Sequence, residues 1–253
     1  MRILTQLVAC LFLLVSCQSG SSEPTDVWRV ASDLANPPFA WVDDEGTAQG
    51  RDVEMAQALA AELGRELEWD RMAFDELLGA LESGRVDSVI ATMGATPERA
   101  EIVLLSEPYF ATSLSVLVRK GAGEPTSFAD LDNRLVSAGI GTTSELALRE
   151  KLPHAQAAEP SAKGESSIDR LLSRDVDALV MDAPDALDYS VERPDELMVL
   201  ATPLSEELYI VAVRPDAPEL LTKINAALLK LKQAGSLQSL DAKFGLIASR
   251  SER

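Results

Sequence analysis

The chain has 253 residues and a formal net charge of −18, from 41 acidic and 23 basic side chains. This balance argues against a nucleic-acid-binding protein, because phosphates require clustered Lys and Arg and the sequence contains no basic stretch. It argues equally against electrostatic docking on anionic lipid. The simplest interpretation of the acidic surface is solubility, and the surface charge does not identify the charge of a ligand.

The first sixteen residues have the features of an export signal. Arg2 gives a positive start, and the uncharged apolar run at 7–15 is too short to span a bilayer as a helix. Residues 14–17, Leu-Val-Ser-Cys, resemble the bacterial lipobox, in which the cysteine is lipidated and becomes the new N-terminus. The alternative is a plain secretory signal cleaved nearby, with Cys17 incidental.

Cleavage before Cys17 removes 16 of the 253 residues and leaves 237, enough for one large domain or two lobes. It also discards Cys10, so no disulfide can form within the mature chain although export would permit one. We expect residues 17–25, which are small and polar after the cysteine, to form a flexible tether.

The mature chain alternates short apolar runs with segments of helical periodicity. Strands are predicted at 27–31, 67–69, 86–92, 114–118, 135–138, 176–181 and 208–213. Helices are predicted at 52–63, 74–81, 144–152, 168–172 and 216–234, with Gly64, Gly84 and Gly235 as stop signals. Strands separated by helices indicate βαβ units, and hence an α/β fold with parallel sheets.

Polar residues or glycines follow four of the predicted strands. They are Ser32 and Asp33, the segment 94–99, the segment 139–144, and Asp182. Because ligands of open α/β sheets bind beyond the carboxyl ends of the strands, these residues predict a polar cleft.

The segment Thr96–Arg99, Thr-Pro-Glu-Arg, predicts the start of a helix, since Thr is a good N-cap and Pro is favoured at the first helical position. Free backbone N–H groups beside Arg99 would make an anion site, where the guanidinium could grip a carboxylate at two points. The alternative is a capped surface helix with a solvated arginine.

Three other candidates are ambiguous from the residues alone. Asp182 ends an apolar strand, where its carboxylate needs a partner, either a ligand ammonium or a neighbouring Arg or backbone N–H. The hydroxyls of 142–144 can cap the next helix or also hold a ligand. Phe74 begins a helical stripe and is either a core residue or a ligand contact.

These pieces, in this order, resemble the solute-binding proteins of the polar amino acid type, bacterial extracellular family 3, over about Val27 to Gly245. The resemblance rests on the segments 36–39 (Asn-Pro-Pro-Phe), 50–56, 74–78, 86–90, 96–99, 106–110, 141–143 and 176–182. It implies a two-lobe periplasmic binding protein type II fold with mixed, mostly parallel sheets and a hinge of two crossings. The first lobe would comprise 26–112 and 206–247, and the second 113–205.

The resemblance also implies roles for individual residues. Arg99 would clamp a ligand α-carboxylate, and Asp182 would receive its α-ammonium. The remaining implied ligand contacts are Thr92, Gly94 and Thr143 at the carboxylate, Phe74 against the apolar part of the ligand, and Asp33 at its side-chain end. Asn36 departs from the pattern, since many relatives carry an aromatic residue there, and an amide favours a polar or small ligand side chain.

The resemblance implies a monomeric protein that binds a small ligand, an α-amino acid, and passes it to the permease of an ABC importer. The protein would lie at the periplasmic or extracytoplasmic face of a membrane, held there by lipidated Cys17. One alternative is a dehydratase of the same fold acting on prephenate or arogenate, with Asp33 or Glu145 as its acid. Another is a ligand-sensing lipoprotein without a role in transport.

No cofactor or metal is expected, and the residues give little support to catalysis. His154 is the only histidine, which rules out a His-based metal cluster and leaves only this loop residue for a Ser-His triad. The glycine-threonine stretch at 141–143 lacks the lysine of a P-loop. The sequence therefore predicts a binding protein rather than an enzyme.

Overall fold

The computed structural model describes residues 26–159 and 166–246. The predicted signal peptide, the tether and Cys17 lie outside these residues. In the described part of the chain, no helix is long and apolar enough to cross a membrane.

The strands, in chain order, run through both halves of the described chain. They are β1 (Val27–Ser32), β2 (Ala35–Asn36), β3 (Ala40–Val42), β4 (Ala48–Gln49), β5 (Glu66–Arg71), β6 (Ser88–Val89), β7 (Leu104–Leu105), β8 (Phe110–Arg119), β9 (Leu135–Ala138), β10 (Gln156–Ala157), β11 (Ala178–Asp182), β12 (Leu197–Val199), β13 (Ser205–Tyr209) and β14 (Ala212–Val213).

The α-helices lie between and after these strands. They are α1 (Arg51–Leu63), α2 (Leu77–Glu82), α3 (Pro97–Ile102), α4 (Thr143–Lys151), α5 (Ser167–Ser173), α6 (Ala183–Glu192), α7 (Pro218–Gln233) and α8 (Ser236–Lys243), with short 3₁₀ turns at Phe74–Glu76 and Phe128–Leu131. Gly64 ends α1 in the left-handed conformation, as the sequence predicts.

The first lobe is built on a mixed sheet in the order β5-β1-β6-β14-β7. Strand β1 pairs in parallel with β5 and β6, whereas β14 is antiparallel to its neighbours. Successive side chains of β1 point to opposite faces, so Trp28 packs with α1, α7 and α8, and Ala31 packs with α2. Both faces of the sheet are therefore buried, which explains the apolar strand patterns.

The second lobe is built on a sheet in the order β10-β9-β11-β8-β12, with β13 also paired to β8. Strands β9, β10 and β11 are parallel, and β8 runs antiparallel to β11, β12 and β13. Val116 of β8 packs on the side of α4, and Leu117 packs on the side of α5 and α6. This sheet is also mixed and covered on both faces.

Two strands connect the lobes. Phe110 at the start of β8 pairs with Tyr209 at the end of β13, and Tyr209 also bridges to Gly94 of the first lobe. The rings of Phe110 and Tyr209 stack with centroids 5.6 Å apart, and Phe39 meets both rings edge-on at 5.1 and 5.4 Å. The predicted lobe boundaries, after Thr112 and after Ser205, fall within these two strands.

Some predicted elements differ from the structure. The strand predicted at 208–213 is two strands, β13 and β14, which belong to different sheets because the chain passes from one lobe to the other between them. The strand predicted at 86–92 is shorter, and its polar end is irregular around Thr92, whose φ of 47° is left-handed. Helices α6 and α8 and the small sheet β2-β3-β4 were not predicted.

A buried ion-pair network lies beneath the first-lobe wall of the cleft. Arg51 and Asp52 are both fully buried, and the guanidinium contacts Asp52 at 3.1 Å and Asp241 at 2.9 Å. The Tyr109 hydroxyl donates to Asp52 at 2.6 Å, and the Thr92 backbone N–H also donates to this carboxylate. The network therefore fixes the unusual backbone of Thr92 from below.

Candidate functional site

A cavity of about 520 Å³ lies between the two lobes. Seven of the eight residues predicted to bind a ligand line it: Asp33, Asn36, Phe74, Thr92, Gly94, Thr143 and Asp182. The eighth, Arg99, is buried and lies behind this lining. The carboxyl ends of β1, β6, β9 and β11 all meet at the cavity, because both sheets present these ends to the cleft.

The first-lobe wall is held by local hydrogen bonds. Asn36 Nδ2 donates to Thr92 Oγ1 at 3.0 Å, so the residue that replaces the usual aromatic is committed to a partner within the protein. The Asp33 carboxylate accepts the backbone N–H of Ala35, yet burial still raises its pKa above the ordinary value. This wall therefore presents a desolvated carboxyl group to the cavity.

Arg99 links the two lobes. The sequence predicts a helix start here, and Thr96 Oγ1 accepts the Arg99 backbone N–H at 3.2 Å. The guanidinium donates to the Gly94 carbonyl at 2.5 Å and across the cleft to the Gly141 carbonyl at 2.9 Å. It also lies over the Phe74 ring, 5.6 Å from the centroid. Burial lowers the Arg99 pKa, and the guanidinium remains a cation near neutral pH.

Glu207, on the crossing strand β13, was not predicted as a site residue. It is 5% exposed, and its Oε1 accepts the Thr143 hydroxyl at 2.8 Å. A Cβ placed on Gly94 would lie only 1.6 Å from the same oxygen, so glycine is required for this close approach. Burial raises the Glu207 pKa to about 7, although Thr143 and the charge of Arg99 lower it in part.

Asp182 lines the cavity at the end of β11. Burial raises the pKa of its carboxyl to about 6, and the neighbouring Tyr209 hydroxyl lowers it by less. That hydroxyl is buried and lies outside normal hydrogen-bond geometry with any group of the described chain. Burial disfavours the ionised form of Asp182, and a ligand ammonium beside the carboxylate would favour that form.

Helix α6 adds carboxylates that were not predicted. Asp185, Asp188 and Glu192 lie on its cavity side together with Tyr189. Burial and the nearby charges of Asp182, Asp188 and Asp33 raise the Asp185 pKa to about 8. Its Oδ1 atom is buried and lacks a hydrogen-bond partner among the described residues. The spacing i, i+3, i+7 after an Asp-Ala-Pro helix start is a signal that could have identified this face.

The cavity is strongly acidic. Five carboxyl groups line it, and within the described chain none of its lining residues is Lys or Arg. Such a wall attracts a cation and repels an anion, except at the end where Arg99 lies behind Gly94 and Thr143. No group of three or more metal-ligating side chains in the described residues is arranged to hold an ion.

Glu145, the second acid considered for a dehydratase, has a local role. Its carboxylate accepts the Gly141 backbone N–H at 2.8 Å and pairs with Arg149 one helical turn along α4. It does not line the cavity, whereas Asp33 does.

A family model described as bacterial extracellular solute-binding proteins, family 3, matches residues 28–247. L-cystine-binding protein TcyJ of Escherichia coli (strain K12) is 32% identical over 209 residues, which are 82% of this chain and 78% of that protein. ABC transporter arginine-binding protein 1 of the same strain is 28% identical over 233 residues, 90% of this chain and 94% of that protein.

An ancestral arginine-binding protein, solved with arginine bound, superposes with a TM-score of 0.78 at 34% identity, over 86% of this chain and 97% of that chain. This likeness and the family match confirm the two-lobe type II fold. The named relatives are binding proteins, in agreement with the prediction that the chain is not an enzyme. The chain belongs to the bacterial extracellular solute-binding proteins, family 3.

Proposed function

We propose that the chain captures an α-amino acid with a cationic side chain and delivers it to an ABC importer, while lipidated Cys17 holds it at the extracytoplasmic face of a membrane. The observation that carries the ligand class is the cavity lining, in which five carboxyl groups stand without a lining Lys or Arg.

Two charged groups beside the cleft suit the two charges that an amino acid carries on its α-carbon substituents. Arg99 and Thr143 offer a cation and a hydroxyl for the α-carboxylate, and Asp182 offers a carboxylate for the α-ammonium. Thr143 and Asp182 come from the second lobe and Arg99 from the first. A zwitterion that contacts both lobes therefore favours the closed state.

The ligand side chain would then meet the remaining acidic wall. Asp33 and Asp185 both have pKa values raised by burial, and a cation between them would favour their charged forms. An anionic side chain would instead be buried against like charges. The arginine-binding relatives support this ligand class, whereas the cystine-binding relative shares the fold with a different ligand.

The proposal predicts a selective rise in melting temperature. A Cys17→Ser chain, which cannot be acylated, is screened against the common amino acids, ornithine and cystine. We expect several degrees of stabilisation by arginine, lysine or ornithine, since ligand at 100 times Kd adds about 2.7 kcal/mol. Asp185→Asn should reduce the preference for arginine over glutamine, and Asp195→Asn, at an exposed residue outside the cavity, should leave it unchanged.

Strongest stabilisation by glutamate or by cystine would contradict the cationic ligand. Turnover of prephenate or arogenate in a parallel assay would instead support the dehydratase alternative.

The lipid anchor has its own test. In cells, Cys17→Ser should move the protein from the membrane fraction to the soluble extracytoplasmic fraction, because two or more acyl chains give stable membrane binding and their loss abolishes it. Cys10→Ser is the matched control, since Cys10 lies in the predicted signal peptide and its replacement should leave the protein in the membrane fraction. Soluble wild-type protein would refute the anchor.

A further inference from the structure

We propose that Glu207 shares the subsite for the ligand carboxylate when the lobes are closed, and that a ligand carboxylate enters this subsite only when Glu207 takes up a proton. This inference rests on the proposed function, because it assumes that Arg99 and Thr143 receive the α-carboxylate. It assigns a role in binding to a residue of the crossing strand β13.

The contacts of Glu207 place it among the carboxylate-binding groups. Its Oε1 already accepts the Thr143 hydroxyl, the donor assigned to the ligand. It lies against Gly94, whose carbonyl accepts from Arg99, so the carboxylate and the guanidinium meet the same residue. Glu207 therefore contacts two of the groups assigned to the ligand carboxylate, Thr143 and Gly94.

A ligand carboxylate in the cavity can approach Arg99 only past residues that Glu207 contacts. Gly94 and Thr143 line the cavity, and Glu207 touches both of them. A ligand carboxylate that approaches Arg99 must come close to the Glu207 carboxylate as well. Two carboxylates that share a site cannot both stay ionised, so one of them takes a proton or moves away.

The charged groups that face Glu207 are Arg99 on α3 and Asp182 at the end of β11, together with the Thr143 hydroxyl on α4. Burial and Asp182 disfavour the ionised form, and Arg99 and Thr143 favour it. With a pKa of about 7, the group changes its charge near neutral pH, and a second carboxylate beside it would raise the pKa further. The proton comes from solvent and stays on Glu207 while the ligand is bound.

Glu207 should weaken ligand binding as the pH rises above 7. Below pH 7 Glu207 is largely protonated, and no affinity is lost. Above pH 7 only the protonated fraction is competent, so the apparent Kd rises by the inverse of that fraction, about thirty-fold at pH 8.5. Gln at this position is neutral at every pH and can still accept the Thr143 hydroxyl through its amide oxygen.

The test compares Glu207→Gln with wild type, using calorimetric titration of L-arginine between pH 6 and 8.5. Asp182, with a pKa of about 6, is largely ionised in both proteins above pH 7, so the informative quantity is the change with pH in the ratio of the wild-type Kd to the variant Kd. We expect a ratio near one at pH 6 and about thirty at pH 8.5. Glu206→Gln, at the exposed neighbour on the same strand, should give a ratio near one throughout.

A second measurement counts the protons exchanged on binding. Wild-type titrations at pH 8 in two buffers of different ionisation enthalpy report the net protons exchanged on binding, and Glu206→Gln should match wild type. Glu207→Gln should take up close to one proton fewer than wild type.

A ratio that stays constant with pH, or a folded Glu207→Gln protein that loses arginine binding at every pH, would overturn the inference. In the latter case Glu207 would be a direct contact of the ligand ammonium. Failure of every amino acid to bind wild type would refute the proposed function and this inference with it, whereas arginine binding with equal proton uptake in both proteins refutes the inference alone.

Discussion

Replacing Arg99 with Met should weaken arginine binding by a factor of 100 or more. Arg99 is 6% exposed, and none of the cavity-lining residues of the described chain supplies a second cation. A ligand carboxylate would then be buried without compensation, and breaking such a pair costs about 3–5 kcal/mol.

The same substitution should also destabilise the ligand-free protein. It removes hydrogen bonds to the carbonyls of Gly94 and Gly141, each worth about 1.5–3 kcal/mol when the donor is charged. Affinity is therefore measured by equilibrium dialysis or calorimetry at a temperature where the variant is folded, and not by melting temperature. Arg29→Met, at an exposed position of β1, is the control. Affinity within tenfold of wild type would show that Arg99 has only a structural role.

Replacing Asp182 with Asn should weaken arginine binding by a comparable factor and make the loss of affinity at acidic pH less steep. In wild type the pKa of about 6 belongs to the ligand-free protein, and a bound ammonium lowers this pKa. Binding thus favours the ionised carboxylate: the contribution of Asp182 to affinity is complete well above pH 6 and falls as pH decreases below 6, approaching tenfold per pH unit.

The measurement is calorimetric titration of arginine from pH 7 to pH 5. Because Asn cannot titrate, the Asp182→Asn protein should start from a weak affinity at pH 7, and its affinity should fall less steeply than that of wild type at lower pH. Asp195→Asn should follow the wild-type curve. If the Asp182→Asn and wild-type curves fall in parallel, another group is responsible for the loss at acidic pH.

The sequence identified most of the fold because its signals are local. The N-cap at Thr96, the glycine after α1 and the polar residue at the end of β11 are each determined by neighbours along the chain. The rule that ligands bind at strand ends predicted that Asp33, Thr143 and Asp182 lie near one another, and all three line one cavity.

The features that could not be predicted depend on contacts between distant segments. Glu206 and Glu207 are adjacent acids, one exposed and one buried, and only the pairing of β13 with β8 distinguishes them. Helix α6 was missed because its amphipathicity is inverted, with carboxylates toward the cavity and Leu187 and Val191 exposed at 43% and 76%. A pattern that assumes apolar residues inside cannot detect such a helix.

We expect the stacked rings at the lobe crossing to determine where the protein bends. Phe110 and Tyr209 pack into the core of the first lobe with Phe39, so their backbones move with that lobe. Rotation of the second lobe must then be absorbed by torsion angles just beyond them, at 111–113 and 205–208. Glu207 lies within the segment 205–208, close to the rotation axis, where a given rotation would produce the smallest displacement. Thr143 lies in the second lobe, farther from the axis, and would move more. Opening would pull the hydroxyl away from a nearly stationary carboxylate.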